Sequence, residues 1–177
     1  MQRKLSSDYY QPAEDTFFLA DFVKKEKGGA ALDIGTGSGF LARVLSEGFG
    51  FVVATDISPV ALKKARESVP NCICCKSADA INYAFDLVVC NLPYLPSQEV
   101  VDEAVDGLRE GLVVPTEILL SASCVVRKHG KLIYLTSSLA NFGELMRRTE
   151  KMGFEVKVAS RKKLFFEELV IVECIKI

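Results

Sequence analysis

The stretch Leu32-Asp-Ile-Gly-Thr-Gly-Ser-Gly-Phe-Leu-Ala42 limits what this chain can become more than any other: a strand runs into three alternating glycines and then into an apolar helix start. Strand, glycine loop and helix in succession bring backbone N–H groups and a helix N-terminus up against a ligand, and a Cβ on the glycines would hold that ligand off. Gly35, Gly37 and Gly39 follow G-x-G-x-G, with Asp33 two residues ahead of the first glycine. The dinucleotide fingerprint spaces its glycines as G-x-G-x-x-G instead. A carboxylate in the place of Asp33 would repel a pyrophosphate. It suits a cofactor that carries a cationic amino group and a sulfonium, so the spacing points to S-adenosylmethionine (SAM).

A length of 177 residues fits one domain over 1–177, with a polar and flexible start over residues 1–9. A net charge of −1 argues against a chain built to hold nucleic acid through counterion release. Local basic runs remain at Arg127-Lys128-His129, Arg147-Arg148 and Arg161-Lys162-Lys163, and they read as solvated helix ends and loops. The six cysteines form no C-x-x-C and the one histidine, His129, has no partner at zinc spacing, so no metal site is expected. Most of those cysteines fall in apolar runs, as reduced residues of an intracellular protein do. The N-terminus lacks the apolar core of a signal peptide, and no run approaches the roughly 20 residues of a membrane span. The expected compartment is the cytoplasm, the nucleus being a second option, without membrane attachment.

Along the chain, Pro12 and the acids after it open a helix with Phe17, Leu19, Ala20 and Val23 on one face, ending near Gly28-Gly29. Ala30–Ile34 is a first strand, Phe51–Asp56 a second, Asn71–Lys76 a third and Phe85–Asn91 a fourth, with helices from Phe40 and Ser58 between them. A stretch from Leu95 to Val114 forms a loop near the active-site mouth, and a helix from Pro115 to Lys128 follows it. A fifth strand at Lys131–Thr136, a helix from Phe142 to Met152, and two strands at Phe154–Ala159 and Leu169–Ile175 complete the alternation. The expected fold is an α/β, Rossmann-like, doubly wound sheet of seven strands, mostly parallel and closed by an antiparallel C-terminal hairpin.

Acids recur at the carboxyl ends of successive strands. Asp56 comes 17 residues after Gly39, where it can accept from both hydroxyls of a ribose. Asp79 follows the third strand and can accept from an adenine amino group. Asp33, Asp56 and Asp79, with the neighbouring Ile57 and Ala80, are therefore candidate cofactor positions.

The fourth strand runs into Asn91-Leu-Pro-Tyr94 and faces the glycine loop across the point where strand order reverses. A planar amino group, such as a glutamine side-chain amide or N6 of adenine, is a poor nucleophile because its lone pair is delocalised. Two acceptors aimed at its N–H bonds would hold its nitrogen in line with a sulfonium methyl and stabilise the charge that develops. The Asn91 oxygen and the Leu92 backbone carbonyl supply them, Pro93 stiffens the turn, and Tyr94 offers an aromatic face to the amide or base.

On Tyr10-Gln-Pro-Ala-Glu-Asp-Thr16, Asp33 to Gly39, Asp56, Asp79 and Asn91 to Tyr94, the chain resembles the class I SAM-dependent methyltransferases. More narrowly it is similar to the HemK-like N5-glutamine methyltransferases that modify the Gly-Gly-Gln loop of class I translation termination factors, in their short eukaryotic and archaeal branch. The resemblance implies that Thr16 and Asn91 contact SAM and that the product is N5-methylglutamine. Adenine N6 methylation of nucleic acid and lysine methylation of protein stay open as alternatives, with a non-catalytic scaffold as a third. Leu92 departs from the Asn-Pro-Pro-Tyr of the family and lowers the rigidity of that turn. The third strand, Cys72 to Cys75, is expected at the sheet edge, and an apolar edge without charge or proline invites strand pairing. Relatives of this branch are stabilised there by a small zinc-binding activator protein, which the resemblance implies as a partner.

Overall fold

Alternating strands and helices build the computed structural model, which describes residues 10–93 and 112–177. Helix α1 (Glu14–Val23) precedes β1 (Gly28–Ile34), α2 (Phe40–Leu45), β2 (Phe49–Asp56), α3 (Pro59–Ala65), β3 (Cys72–Cys74) and β4 (Phe85–Asn91). Then come α4 (Val113–Val125), β5 (Val126–Ser137), α5 (Phe142–Lys151), β6 (Phe154–Lys163) and β7 (Glu168–Lys176). The flexible start expected over 1–9, Tyr94, and the expected loop as far as residue 111 lie outside the described residues.

The seven strands form one sheet in the order β3-β2-β1-β4-β5-β7-β6. β3, β2, β1, β4 and β5 pair in parallel, while β7 runs antiparallel to both β5 and β6. This is the class I methyltransferase arrangement expected from the sequence. The chain steps outward from β1 to β3, then crosses back to lay β4 against the other side of β1, which opens a crevice at the carboxyl ends of β1 and β4.

Alternate residues of the parallel strands feed two cores, because successive side chains leave a strand on opposite faces. Leu32, Val88, Leu132 and Tyr134 pack under α4 and α5 with Leu119, Ala122 and Leu145. Ala31, Val89, Ile133 and Leu135 pack under the first three helices with Leu19, Val23, Leu41, Leu45 and Leu62. Helices therefore cover both faces, which is why the central strands are apolar on each side.

The structure corrects several local expectations. In α1 the buried residues are Asp15, Thr16, Leu19, Ala20 and Val23, whereas Phe17 is half-exposed and meets the edge of the Phe40 ring at 5.3 Å. The helix expected to reach Lys128 stops at Val125, and β5 begins at once with Val126. A register shift opposite Phe85 and Leu87 absorbs the polar residues 127–130 as a bulge, with His129 at φ +61°. The basic run at 161–163, expected as a loop, is the last turn of pairing in β6, opposite Val170, Leu169 and Glu168.

Candidate active site

The glycine loop leaves β1 beside the end of β2, with Ile34 in register with both Thr55 and Cys90. The sequence suggested N–H groups aimed at a ligand, but four of them are spent inside the protein. Those of Gly35 and Thr36 both donate to the Thr55 carbonyl at 2.9 Å, that of Gly39 to the Thr36 carbonyl at 2.9 Å, and that of Gly37 to the Asp56 carboxylate at 2.9 Å. Donors spent inside the protein cannot cradle a phosphate, so the loop is built for something other than an anion. Gly39, at φ +83°, is needed for packing: a Cβ there would stand 2.9 Å from the Ala65 backbone of α3. Gly35, at φ +72°, faces open space with no atom within 4 Å of a Cβ. The free volume of the loop is thus above Gly35, at the carboxyl end of the sheet.

Asp33 is fully buried beneath that loop. Its Oδ2 accepts from the Thr36 hydroxyl at 2.6 Å and from the Ala42 N–H at 3.1 Å, tying both ends of the loop to β1. Its Oδ1 is buried with no partner among the described residues, and burial pushes the carboxyl up to about 6. A neighbouring cation would relieve that carboxylate, as a SAM amino group or sulfonium does.

Asp56, half-buried, accepts from the Ser58 N–H at 2.8 Å through the oxygen that Gly37 does not use. Both carboxylate oxygens keep a lone pair for a diol. Ile57 next to it is 72% exposed, an apolar side chain standing free beside the place a ribose and base would take. Asp79 and Ala80 are exposed on the turn after β3, and Asp79 accepts from the Ser121 hydroxyl of α4 at 2.7 Å. Ser121 in turn accepts from the Ala78 N–H at 3.0 Å, so it fixes the whole turn. Nothing in the sequence marks Ser121, one small polar residue in a helix that also carries Thr116, Glu117 and Ser123.

At the end of β4, Asn91 donates through Nδ2 to the Asp15 carboxylate at 3.2 Å. Its Oδ1 is buried without a partner among the described residues. Thr16 lies beside it, buried, with its own N–H 2.6 Å from Asp15. Leu92 prolongs the pairing of β4 by donating its N–H to the Leu135 carbonyl at 3.2 Å, and its side chain is 2% exposed in the core. Pro93 is exposed. Tyr94 falls outside the described residues. Asp15 escaped sequence reasoning because an acid in the first turn of a helix already has an ordinary explanation in the helix dipole.

The described residues thus gather a fully buried acid under a glycine loop, a diol acceptor, an exposed turn with a second acid, and an unpartnered amide oxygen, all at one end of the sheet. That set fits SAM: anionic and acceptor groups gather at the carboxyl end of the sheet while the N–H groups of Gly35, Thr36, Gly37 and Gly39 are occupied within the protein.

Residues 31–111 match the family model described as a methyltransferase domain. Over 96% of its length the chain is 29% identical to a putative protein N5-glutamine methyltransferase of Methanocaldococcus jannaschii, of which the match spans 92%. It is 27% identical to methyltransferase HEMK2 of Homo sapiens, over 96% of this chain and 91% of that one. Among solved structures, the E. cuniculi Mtq2-Trm112 complex responsible for methylation of the eRF1 translation termination factor superposes with a TM-score of 0.79 at 27% identity, covering 96% of this chain and 99% of the other.

Proposed function

We propose that the chain is a HemK-like class I SAM-dependent methyltransferase that methylates the side-chain amide nitrogen of the glutamine in the Gly-Gly-Gln loop of a class I translation termination factor. The observation that carries this reading is the Asn91 carboxamide oxygen, buried and unpartnered among the described residues at the carboxyl end of β4. A buried acceptor without a donor is unfavourable unless its partner arrives with the substrate. An amide N–H of glutamine is such a donor.

SAM, when bound, supplies an electrophilic methyl group on a sulfonium. Asp56 and Ile57 are assigned to its ribose, Asp79 and Ala80 to its base, and Asp33, Gly35, Gly37, Gly39, Thr16 and Asn91 to its methionine end. The Asn91 oxygen and the Leu92 carbonyl hold the acceptor amide by its two N–H bonds, so that orientation, rather than a base, lowers the barrier. Pro93 restrains the turn and Tyr94 covers the planar amide. The surplus proton of the amide nitrogen leaves to water after transfer, so no catalytic histidine is required.

The partner reading rests on β3, which is the outer strand of the sheet among the described residues and carries Ile73 and Cys74 without a charge or proline. A small zinc-binding activator protein that adds a strand there would cover it. Release factors act in the cytoplasm, and that is the compartment this function requires.

Methyl transfer from labelled SAM to a purified class I release factor, and to its variant with alanine in place of the loop glutamine, tests the substrate with the small activator co-expressed. Label on the unaltered factor alone supports the proposal. Equal label on both, or none with SAM still bound, removes the glutamine from consideration.

A further inference from the structure

Asp15 is 6% exposed, yet it is far from idle. It accepts from the Tyr10 hydroxyl at 2.7 Å, from the Thr16 N–H at 2.6 Å and hydroxyl at 3.2 Å, and from the Asn91 Nδ2 at 3.2 Å, so the N-terminal segment and the end of β4 converge on one carboxylate. We propose that Asp15 is a positioning residue that sets which face of the Asn91 carboxamide the methyl acceptor meets. The proposal rests on the role given to Asn91 above.

The argument is one of donors and acceptors. The oxygen and nitrogen of a carboxamide are alike in size and shape, so packing alone does not choose between its two orientations. A carboxylate only accepts, and Asp15 already receives the Tyr10 hydroxyl and both the N–H and the hydroxyl of Thr16. Asn91 must therefore turn its NH2 toward Asp15 and its oxygen away. That oxygen is the atom left without a partner among the described residues. Reversed, the carboxamide would present two N–H bonds to a substrate amide that also offers N–H bonds, and donor would face donor. Tyr10 completes the arrangement from the other side of Asp15. Burial and the adjacent carboxylate push its hydroxyl well above the usual phenol range, so it remains a donor at every pH the enzyme meets.

Four forms of the enzyme, co-expressed with its activator, test this: Asp15→Asn, Asn91→Asp, the two together, and Asn91→Ala. Asp15→Asn keeps the shape but gives Asn91 a donor to face, so kcat should fall about 10–100-fold, with SAM affinity by calorimetry and KM for the acceptor little changed. The paired substitution restores the polarity, because the amide at 15 donates to the carboxylate at 91 while the second carboxylate oxygen still accepts. It should regain about tenfold or more over Asp15→Asn alone. In the uncomplexed protein, the Asn91 side-chain NH2 resonances should also move upfield in Asp15→Asn as a charge-assisted hydrogen bond is lost. Should Asp15→Asn fail to fold, Tyr10→Phe removes one of the four donors and should still lower kcat several-fold at unchanged SAM affinity. Unchanged kcat in the foldable variant, or a paired form no better than the single one, overturns the proposal. Full activity in Asn91→Ala would instead overturn the role of Asn91 itself, which separates the two failures.

Discussion

Gly35 and Gly39 differ in what a methyl group would meet, and that difference separates binding from stability. At Gly39 an alanine combines left-handed backbone, φ +83°, with a contact of 2.9 Å to the Ala65 backbone. The conformation costs about 1–2 kcal/mol and the overpacking about 1–3 kcal/mol more, so Gly39→Ala should lower Tm by many degrees. At Gly35, φ +72° imposes the same strain, but no atom lies within 4 Å of the added carbon. Gly35→Ala should therefore cost only about 1–2 kcal/mol of stability while weakening SAM binding in calorimetry disproportionately. If both variants lose stability and keep affinity, the open space above Gly35 is not the cofactor site. Asp33 supplies a second test. Its carboxyl is pushed up to about 6 from an ordinary value of 3.8, so the folded protein binds this proton more tightly than the unfolded chain. The contribution of Asp33 to stability therefore falls as pH rises from about 4 to about 6, opposite to a salt-bridged acid, and is smallest above that window. A cation placed near it must lower its pKa. SAM should bind more tightly above pH 6 than below it, with proton release seen as a dependence of binding enthalpy on buffer ionisation. Affinity that is flat between pH 5 and 7 would separate Asp33 from the cofactor.

At the level of elements, the strand β4 shows why a residue that departs from a motif can still be well placed. Leu92 donates to the Leu135 carbonyl at 3.2 Å and buries its side chain, two contacts a proline lacks. Leu92→Pro should lower stability by about 1–3 kcal/mol through the lost hydrogen bond and packing, seen as a lower Tm, while methyl transfer persists because the carbonyl of residue 92 is backbone. β3 is the other informative element. It has the three residues Cys72–Cys74, paired among the described residues with β2 alone. Ile73→Lys should abolish co-purification with the activator, and because Ile73 packs partly against the core it should also cost the free chain about 1 kcal/mol, seen as a modestly lower Tm. Retained binding would move the partner elsewhere. The order of these strands could be read in advance because buried parallel strands are apolar on both faces, as in Val52 to Ala54 and Leu87 to Cys90. The end of α4 could not. Val125 and Val126 belong equally to helix and strand by type, and the bulge that accommodates residues 127–130 is decided by pairing with Phe85 and Leu87, a contact no local pattern contains. Site residues followed the same rule. Glycines and strand-end acids announce themselves by spacing, whereas Asp15 and Ser121 act through partners 76 and 42 residues away.

Across the whole molecule, the placement of charge decides between a protein and a nucleic acid as the methyl acceptor, since both offer a planar amino group. The three basic runs visible in the sequence would form a phosphate-binding surface only if their cations were unneutralised. In the structure Arg127 pairs with Asp86, Arg147 and Arg148 both pair with Glu144, Arg161 with Glu168, and Lys162 with Glu14. Such exposed pairs add little to stability, but together they offset much of the charge that a phosphate would otherwise meet, Glu144 serving two arginines. The runs also lie on separate elements, at the start of β5, on α5 and at the end of β6. The net charge is −1, and the described residues present no single basic face to follow a backbone. Affinity for mixed-sequence single- and double-stranded oligonucleotides at physiological salt should therefore be weaker than the roughly 10⁻⁴–10⁻⁶ M of ordinary non-specific binders. The slope of log K against log salt should correspond to about one phosphate or fewer. Fluorescence anisotropy with labelled oligonucleotides, in the presence of SAM and the activator, measures both quantities. Sub-micromolar binding with a slope of several phosphates would restore adenine N6 methylation as the leading function. Weak binding together with methylated release factor leaves Asn91 a glutamine amide to hold.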